Sequence, residues 1–488
     1  MNKSIVIGSG IAGIASSIRL AKKGYSVKVF EGNSFPGGKI HSFEKSGYRF
    51  DGGPSLFTMP QFIDELFELC GENPKDYFSY IKKEIACNYF WEDGIKLVAY
   101  GNKEDFLNEV EKKLGVPKEK LINYFNRSQK KYDLTAPLFL EKSLHKLKTF
   151  ISKEAINAIL FLGKYDIFKT LHEVNKEVLE EPHLIQFFDR FATYNGSNPY
   201  QTSGMMSLIT HLEQHYGTFL PVKGMVSITD SLVQLAKRQG VEFVYNSYVN
   251  QIIIDNKKAK GVESNGCFYA SDVVISNMDI NPTYKFLIPN EPKPKKILDA
   301  ESSSSAVIFY WGISREFKEL DLHNIFFSEN YSDEFKSIFN QNTVSKDPTV
   351  YINITSKDIP GDAPENSENW FVMINTPADK GQDWNSMVNE IRKNVKKKIS
   401  RNLGVDIGKY IEIEEVLTPK IIQHKTQSHQ GALYGPSSND RLSAFFRHPN
   451  FSRKIENLFF CGGSVHPGGG IPLCLLSAKI TSDLVKKL

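Results

Sequence analysis

The sequence predicts an α/β fold in which a Rossmann-like domain is interrupted by other segments of the chain. The first observation is a complete strand–helix–strand unit at the start, with a glycine-rich turn between strand and helix. The second is a short apolar strand and a helix near the other end, which would complete the same domain. The third is length, because 488 residues exceed one compact core and suggest about three units of roughly 150 residues.

The composition excludes several classes of protein. Hydrophobic residues make up 41% and charged residues 24% of the chain, which is typical of a globular protein and argues against disorder or a fibrous repeat. The formal net charge of +4 is too small to indicate nucleic-acid binding. The five cysteines are odd in number, scattered and free of any CxxC pair. This pattern argues against a disulfide framework or a zinc cluster and favours a reducing compartment.

Neither export nor membrane insertion is expected. The periodic pattern of the fold already begins at Ser4, so we expect no signal peptide before it. Two long uncharged windows, residues 191–212 and 457–478, contain glycine, proline or polar residues that a lipid-facing helix tolerates poorly. We therefore predict that neither window spans a bilayer.

The N-terminal unit carries a dinucleotide-binding fingerprint. Residues 4–8 predict a strand, residues 14–23 a helix and residues 25–30 a second strand that ends at Glu31. In the turn, Gly8 permits a sharp bend, Gly10 lets the backbone approach a pyrophosphate, and Gly13 lets helix and strand pack closely. The helix N-terminus offers unpaired N–H groups to phosphates, and Glu31 can accept hydrogen bonds from a ribose hydroxyl. The predicted dinucleotide-binding residues are Gly8, Gly10, Ile11, Ala12, Gly13 and Glu31.

Two further glycine pairs follow this unit. Residues 36–39 have the sequence Pro-Gly-Gly-Lys, and residues 51–55 have the sequence Asp-Gly-Gly-Pro-Ser. Such pairs suit a backbone that lies flat against a large planar ligand. They also suit ordinary loop turns, and the residues alone leave both interpretations open. The candidate cofactor-binding residues of these segments are Gly37, Gly38, Lys39, Gly52, Gly53, Pro54 and Ser55.

The C-terminal segment also combines a strand, a glycine-rich loop and a helix. Residues 457–460 predict a short apolar strand before Cys461, which we expect to be buried, residues 461–472 a loop and residues 473–488 a helix. Pro472 suits the start of that helix because it lacks an N–H group that would have no partner there. Such a helix presents its positive end to whatever lies before it. The candidate cofactor-binding residues here are Gly462, Gly463, Gly470, Ile471 and Pro472.

His466 in this loop has two interpretations. It can act as a catalytic acid or base, because an imidazole titrates near neutral pH. It can instead shape the loop through a hydrogen bond to a backbone carbonyl. No second histidine, cysteine or carboxylate stands at metal-binding spacing around it, so we predict no zinc or iron site.

The middle of the chain is expected to hold the remaining strands and the substrate-binding part. Strands predicted at 241–245, 248–254, 259–263 and 272–276 would complete the nucleotide-binding sheet, with 248–254 and 259–263 paired as a meander. Stretches at 95–99, 304–312, 349–355 and 370–376 predict a second sheet, and residues 103–218 are expected to be mainly helical. The predicted division is a cofactor domain at 1–85, 219–285 and 451–488, substrate-domain strands at 86–102, a helical and membrane-facing subdomain at 103–218, and a substrate-binding domain at 286–450.

Three of these segments together resemble the flavoprotein family of amine oxidases and phytoene desaturases: the turn GxGxxG at residues 8–13, Glu31, and residues 37–39. The string GSVHPGGGIP at 463–472 resembles the hallmark of bacterial-type phytoene and carotenoid desaturases, where it lies beside the isoalloxazine ring. Segments 50–54, 196–199 and 219–225 also resemble their family counterparts, so the resemblance covers nearly the whole chain. The departures are Ser17 for the usual alanine, Lys39 for the commoner arginine, and Leu473-Cys474 for glycine and a small apolar residue.

The resemblance implies a fold of the glutathione-reductase type and a bound FAD. In the family, the glutamate at position 31 binds the FAD ribose, and the segment at 37–39 wraps the pyrophosphate and ribityl chain. By the same resemblance, Val249 is expected to contact the adenine through its backbone. If the C-terminal helix faces the pyrimidine edge of the flavin, its dipole stabilises the reduced ring by about 0.3–1 kcal/mol, and by about 2 kcal/mol when partly buried.

The resemblance also implies a function. The chain is expected to be an oxidoreductase that acts on CH–CH bonds, a carotenoid desaturase that passes a hydride to flavin N5. A late step is favoured, such as 3,4-desaturation of a hydroxylated carotenoid by the 1-hydroxycarotenoid 3,4-desaturase branch. Oxygen or a quinone would reoxidise the flavin, because the chain has no second GxGxxG for a nicotinamide cofactor. Alternatives are a phytoene desaturase, a carotene cis–trans isomerase, an amine oxidase and a non-enzymatic lipid-binding relative.

Residues 136–176 raise the question of membrane contact. They combine leucine, isoleucine and phenylalanine with seven lysines and four acidic residues, a formal charge of +3. One interpretation is a helical surface whose lysine stems cover apolar groups. The other is an interfacial patch that docks on a membrane and admits a lipid-soluble substrate. The second interpretation predicts a cytoplasmic protein that associates peripherally with the inner membrane.

Overall fold

The computed structural model describes residues 2–146, 149, 165–440 and 447–487. The helices are α1 (Ile11–Lys22), α2 (Gln61–Cys70), α3 (Lys103–Leu114), α4 (Lys118–Phe139), α5 (Leu171–Leu179), α6 (Pro182–Asp189), α7 (Leu208–His211), α8 (Val226–Arg238), α9 (Ile280–Pro282), α10 (Lys295–Leu298), α11 (Tyr331–Phe339), α12 (Trp384–Leu403), α13 (Pro419–Thr426) and α14 (Ile471–Leu484). The strands are β1 (Lys3–Ile7), β2 (Ser26–Phe30), β3 (Ser42–Lys45), β4 (Tyr48–Asp51), β5 (Tyr80–Lys82), β6 (Ile85–Phe90), β7 (Lys96–Tyr100), β8 (Phe219–Pro221), β9 (Glu242–Val244), β10 (Val249–Asp255), β11 (Lys258–Ser264), β12 (Cys267–Ala270), β13 (Val273–Ser276), β14 (Ser305–Ile313), β15 (His323–Phe326), β16 (Val350–Ile354), β17 (Glu368–Thr376), β18 (Ile411–Leu417) and β19 (Leu458–Phe460).

A five-stranded parallel sheet joins the two ends of the chain, in the order β19-β13-β1-β2-β9. β1 lies between β13 and β2, and Val6 stands opposite both Ile275 and Val29. Most of its residues are apolar and buried, as expected of a parallel sheet that is covered on both faces. Residues of α1, α2, α8 and α14 build the apolar cluster that covers one face. The expected interrupted α/β domain is therefore present.

The strands predicted at 248–254 and 259–263 exist and pair as the expected meander, but the expectation that they complete the nucleotide-binding sheet is wrong. β10 and β11 pair antiparallel, with Ile252 opposite Val262, and β12 extends them into a separate three-stranded sheet. Tight turns at 256–257 and 265–266 fold each strand back on its neighbour, so these strands satisfy one another's hydrogen bonds. The meander instead packs an apolar face on the parallel sheet, where the rings of Phe30 and Tyr269 lie 4.8 Å apart.

Two helices begin earlier than the sequence suggests. α1 starts at Ile11 rather than at residue 14, and α14 starts at Ile471 rather than at residue 473. Gly13, which we assigned to the turn, therefore lies in the first turn of α1, and Pro472 lies in the first turn of α14, as expected. The first turn of a helix tolerates proline because its N–H groups have no partner within the helix.

A second sheet of seven strands has the order β18-β14-β17-β16-β15-β6-β7. It contains all four stretches predicted for it, as β7, β14, β16 and β17, together with β6, which lies almost wholly in the range 86–102 predicted for substrate-domain strands, and β15 and β18, which were not predicted. Its outer face packs against α12 through residues such as Trp311 and Trp370. Its inner face carries Tyr310, Phe371 and Tyr351 and turns toward the β3–β4 hairpin and the helical part of the chain.

The described residues between 103 and 218 are mainly helical, as predicted. Local signals define several helix ends: Asn102 caps α3, Gly115 ends it in a left-handed conformation, and Thr170 and Glu173 form a capping box at α5. Much of the lysine-rich stretch 136–176, including Lys148 and Lys153, lies outside the described residues. Within the described part of the chain, no helix combines the length and apolarity that crossing a membrane requires.

Candidate functional site

The glycine turn before α1 is a tight backbone crossing. Gly8 has a φ of +90°, and a Cβ atom at Gly13 would lie 2.1 Å from the Gly8 carbonyl oxygen. A Cβ atom at Gly10 would lie 2.7 Å from the Asn277 Oδ1 atom. Ile11 and Ala12 are buried in the first turn of α1. The turn therefore brings β1, α1 and the end of β13 together, and at Gly13 the backbone approach leaves room only for glycine.

Glu31 is anchored at the end of β2, beside this turn. The Oε2 atom accepts hydrogen bonds from the Ser9 backbone N–H at 2.8 Å and from the Ser9 hydroxyl at 2.7 Å. The Oε1 atom accepts from the backbone and side-chain nitrogens of Asn33 at 2.9 and 3.0 Å. The Ser247 N–H donates to the Glu31 carbonyl at 2.8 Å, which holds the start of β10 and the buried Val249 nearby. Glu31 and Val249, which are predicted to contact the ribose and the adenine, thus lie at the same edge of the parallel sheet.

Replacing Glu31 with alanine is expected to weaken FAD retention. A carboxylate that accepts charge-assisted hydrogen bonds from ribose hydroxyls contributes about 1.5–3 kcal/mol, which corresponds to roughly a tenfold to hundredfold weaker affinity. Titrating the FAD-depleted protein with FAD by fluorescence measures this difference. Glu68→Ala on the exposed side of α2 is the matched control and should bind FAD like the wild type. Equal affinity of the Glu31→Ala variant and the wild type would refute the proposed ribose contact.

The glycine pair Gly37-Gly38 lies directly against the glycine turn at residues 8–13. The Gly37 N–H donates to the Ser9 carbonyl at 2.8 Å, and Gly37 forms a parallel bridge with Gly10. Gly37 and Gly38 have φ values of +108° and +60°, which favour glycine. Lys39 is partly buried, and its Nζ atom donates to the carbonyls of Ala432 and Leu433 at 3.1 and 2.9 Å. Burial lowers the pKa of Lys39.

The glycine pair Gly52-Gly53 packs against the segment that contains Gly37, Gly38 and Lys39. A Cβ atom at Gly53 would lie 1.8 Å from the Lys39 carbonyl oxygen, so the two segments touch through their backbones. The Gly52 carbonyl accepts a hydrogen bond from the Tyr310 hydroxyl at 2.9 Å. Pro54 follows, and the Ser55 hydroxyl lies 2.8 Å from the Tyr351 hydroxyl. This segment therefore connects the nucleotide-binding domain to the inner face of the second sheet.

The C-terminal loop lies against the same sheet edge. The Cys461 N–H donates to the Ser276 carbonyl at 3.0 Å, and the Gly462 N–H donates to the Ser477 hydroxyl at 3.1 Å. Gly463 follows, and Gly470, at a φ of +98°, precedes Ile471 and Pro472 at the start of α14. Cys461 is buried at the strand end, as expected.

His466 is held in this loop by several hydrogen bonds. Its carbonyl accepts hydrogen bonds from the Asn450 side chain at 2.8 Å and from the Ser477 hydroxyl at 2.9 Å. Its Nε2 atom lies 2.9 Å from the Lys142 carbonyl, and burial lowers the pKa of the imidazole to about 4. A neutral ring that donates through Nε2 keeps a lone pair on Nδ1. This geometry matches the predicted loop-shaping role, while a role in proton transfer stays a prediction.

Two residues at the centre of the site were missed by the sequence analysis. Asn277 follows β13, its Nδ2 atom donates to the Cys461 carbonyl at 3.1 Å, and its side chain lies against Gly10, so it links both glycine-rich loops. Buried Arg447 donates to the carbonyls of Tyr434 and Gly463 at 3.0 and 2.9 Å, and burial lowers its pKa to about 10. The position of Asn277 directly after a strand at the carboxyl edge of a parallel sheet is a signal that could have identified it.

The arrangement fits a dinucleotide that carries a flavin ring. The N-cap residues of α1 and α14 are Gly10 and Gly470, which have no side chain to cap the helix, and neither first turn contains an acidic residue. Their N–H groups and positive ends suit a pyrophosphate and the anionic edge of a ring. Contacts between Gly10 and Gly37, between Lys39 and Gly53, and from Gly10 through Asn277 to Gly462 join the predicted cofactor residues into one site.

A family model described as flavin containing amine oxidoreductase matches residues 11–486. A 1-hydroxycarotenoid 3,4-desaturase from Flavobacterium sp. (strain P99-3) is 52% identical over 485 residues, 99% of each chain. A 4,4'-diaponeurosporene oxygenase from Staphylococcus aureus (strain MSSA476) is 31% identical over 488 residues, 99% of this chain and 97% of the relative.

A solved structure agrees on the fold. The crystal structure of an oxidoreductase from Methanosarcina mazei has a TM-score of 0.63 and 16% identity and covers 98% of each chain. At that identity the likeness concerns the fold alone.

Proposed function

The chain belongs to the family of flavin containing amine oxidoreductases, and from this premise we propose that it is an FAD-dependent carotenoid desaturase. The observation that carries the proposal is the 52% identity, over 99% of both chains, to a 1-hydroxycarotenoid 3,4-desaturase. The proposed reaction removes two hydrogens from a C–C single bond of a hydroxylated carotenoid, at the 3,4 position. This is a late step of carotenoid biosynthesis.

Bound FAD would supply the two-electron oxidant of this reaction. The residues proposed to hold it are those of the four glycine-rich segments, together with Glu31 and Val249. The N-terminal end of α1 would bind its phosphates, and the N-terminal end of α14 would face the pyrimidine edge of its ring. These backbone donors are already oriented in the fold, so binding requires little further ordering of the chain.

The inner face of the second sheet is the proposed substrate wall. Tyr310 and Phe371 are packed edge to face at 5.6 Å, and Tyr310 also contacts Phe50 beside the cofactor segment. Such a surface gives a hydrocarbon apolar contact, excludes water and positions one bond for reaction, which is the main contribution a protein can make to an apolar substrate.

Pigment analysis in engineered bacteria tests the proposal. The gene is expressed in one host that accumulates phytoene and in another that accumulates a 1-hydroxylated, already conjugated carotenoid. We expect a red-shifted product with two fewer hydrogens only in the second host. Glu31→Ala and an empty vector are the controls.

Other products would identify other activities. Conversion of phytoene would indicate a phytoene desaturase, and an unchanged mass with a changed spectrum would indicate an isomerase. A product that gains oxygen would indicate an activity like that named for the relative from Staphylococcus aureus. An unchanged carotenoid together with oxidation of added amines would indicate an amine oxidase.

Peripheral contact with the inner membrane is a second part of the proposal, because a carotenoid resides in the bilayer. Lys146, Lys148 and Lys153 belong to the lysine-rich stretch, and each basic residue contributes about 1 kcal/mol near an anionic surface. Reversing all three charges to glutamate is therefore expected to reduce co-sedimentation with anionic liposomes.

The matched control for the liposome experiment reverses Lys257, Lys260 and Lys420, three exposed lysines elsewhere on the protein. We expect this variant to sediment with liposomes like the wild type. Equal sedimentation of all three proteins would contradict membrane docking by the lysine-rich stretch.

We also propose the division of the chain given by the sequence, with the cofactor domain at 1–85, 219–285 and 451–488 and the substrate-binding parts between them. Oxygen or a quinone is the proposed electron acceptor. Comparing the rate of flavin reoxidation with dissolved oxygen and with a soluble quinone distinguishes the two acceptors.

A further inference from the structure

A chain of polar side chains crosses from the cofactor segment onto the apolar inner face of the second sheet. The Ser55 hydroxyl lies 2.8 Å from the Tyr351 hydroxyl, which lies 2.7 Å from the His323 Nδ1 atom. Asn353 donates from Nδ2 to the same Nδ1 atom at 3.3 Å. Tyr351 and His323 come from the neighbouring strands β16 and β15. Ser55 follows the glycine pair Gly52-Gly53 in the sequence. The cluster therefore stands between the proposed cofactor and the proposed substrate wall.

The hydrogen bonds determine where the imidazole proton resides. The Asn353 Nδ2 atom also donates to the Leu322 carbonyl at 3.1 Å, which identifies it as the amide nitrogen. His323 Nδ1 is therefore an acceptor, toward both Asn353 and Tyr351. Burial lowers the pKa of His323 to about 3, so the ring is neutral at pH 7 and carries its one proton on Nε2.

This Nε2–H group has no hydrogen-bond partner within the described part of the chain, although His323 is only 2% exposed. Buried donors in proteins are almost always paired, and an unpaired one indicates a missing partner. We propose that His323, held by Tyr351 and Ser55, donates from Nε2 to an oxygen atom of the substrate, the hydroxyl group of a hydroxylated carotenoid. This inference rests on the proposed function, because it names the group that this same site recognises.

The position of the cluster suits this role. In a 1-hydroxycarotenoid the hydroxyl-bearing carbon is separated from C3 by a single carbon atom. A residue that binds this hydroxyl while the 3,4 bond reacts must therefore lie close to the cofactor. Ser55 belongs to the segment proposed to contact the cofactor, and the hydrogen-bonded chain places His323 two side chains away from it.

The test uses the purified holoenzyme and two acyclic carotenoids that differ only in the 1-hydroxyl group. We expect the wild type to prefer the hydroxylated substrate by about tenfold or more in kcat/KM, as expected of a site built to pair with a hydroxyl. His323→Leu should remove most of this preference, mainly through KM. Tyr351→Phe should reduce it, because the ring loses one partner that orients it, and His323→Gln should restore part of it through its amide N–H.

A second measurement does not depend on turnover. Quenching of tryptophan fluorescence gives the Kd of the holoenzyme for the desaturated, hydroxylated product, and this Kd should rise about tenfold in His323→Leu. The matched control is His424→Leu, the same change at an exposed residue of α13, which should leave both the preference and the Kd unchanged.

The outcomes separate this inference from the proposed function. If the wild type desaturates neither carotenoid, the proposed function fails. If the wild type desaturates both carotenoids equally, or if the active His323→Leu and Tyr351→Phe variants keep the wild-type preference, the hydroxyl subsite is overturned while desaturation stands. If His323→Leu does not retain FAD or fold, Tyr351→Phe decides the question, because it removes only one hydroxyl group.

Discussion

Replacing Gly13 with alanine is expected to abolish FAD retention and to destabilise the protein by about 3 kcal/mol or more. The added Cβ atom would lie 2.1 Å from the Gly8 carbonyl oxygen and 2.9 Å from the Asn277 Oδ1 atom. The first neighbour is backbone and cannot rotate away, so the turn itself must move. Overpacking typically costs about 1–3 kcal/mol and more where nothing yields. The displaced turn would also lose its hydrogen bonds to the pyrophosphate.

Flavin absorbance per protein and the free energy of unfolding in urea measure the two effects of this substitution. Gly361→Ala is the matched control, because Gly361 lies outside the positive-φ region and has no heavy atom within 4 Å of the added Cβ position. A Gly13→Ala protein with wild-type flavin content and stability would show that the turn is not a close crossing.

Replacing Arg49 with methionine is expected to destabilise the protein by about 3–5 kcal/mol. Arg49 donates to Asp51 at 2.7 Å and to Asp362 at 3.0 Å, and the two carboxylates are each 3% exposed in their side chains. The Asp51 carboxylate also accepts the Met225 N–H at 3.1 Å. Removing the guanidinium leaves two buried carboxylates near each other without their cation. Loss of one partner of a buried ion pair is strongly destabilising because the remaining charge stays buried without compensation.

The pH dependence of this effect has a definite sign. Burial already raises the pKa of Asp51, while Arg49 opposes that rise. Without Arg49 the pKa of Asp51 rises further, so acidification protonates the carboxyl and removes the unpaired charge. The difference in unfolding free energy between wild type and Arg49→Met should therefore shrink as the pH falls from 7 toward 5.

Urea unfolding at several pH values measures this difference. Lys336→Met removes the cation of an exposed ion pair with Asp333 on α11 and should cost less than about 1 kcal/mol at every pH. An Arg49→Met protein with the stability of the wild type at pH 7 would show that the network does not hold the segments together. The network matters because its residues come from three of the sequence segments that the predicted division separates.

The glycine-rich segments show what can be predicted from local sequence. Gly8, Gly10 and Gly13 combine a positive φ, a close backbone approach and a helix start, and each demand is met by the residue type at that position. The strand–helix–strand unit and four strands of the second sheet were predicted for the same reason. Short-range periodicity and turn residues carry this information because they act within a few residues of the chain.

The partition of strands between sheets could not be predicted in this way. The strands at β10 and β11 were expected to complete the nucleotide-binding sheet, yet with β12 they form their own sheet. An apolar strand can pair with any exposed edge of suitable register, and the choice depends on which edges the rest of the chain leaves open. β6 and β15 pair in parallel although they are remote in sequence, which local patterns do not reveal.

By itself, the sequence determined that this protein has an interrupted α/β domain, that four glycine-rich segments and Glu31 are its candidate cofactor-binding residues, and that it resembles flavin-dependent desaturases. Only the tertiary structure decided that Asn277 joins the two glycine-rich loops, that Arg447 ties the C-terminal loop to residues 434–436, and that Ser55, Tyr351 and His323 form one hydrogen-bonded chain. The physical reason is the range of the interactions. Backbone conformation is a property of neighbouring residues, whereas the partner of a buried polar group is set by the packing of segments that are remote in sequence.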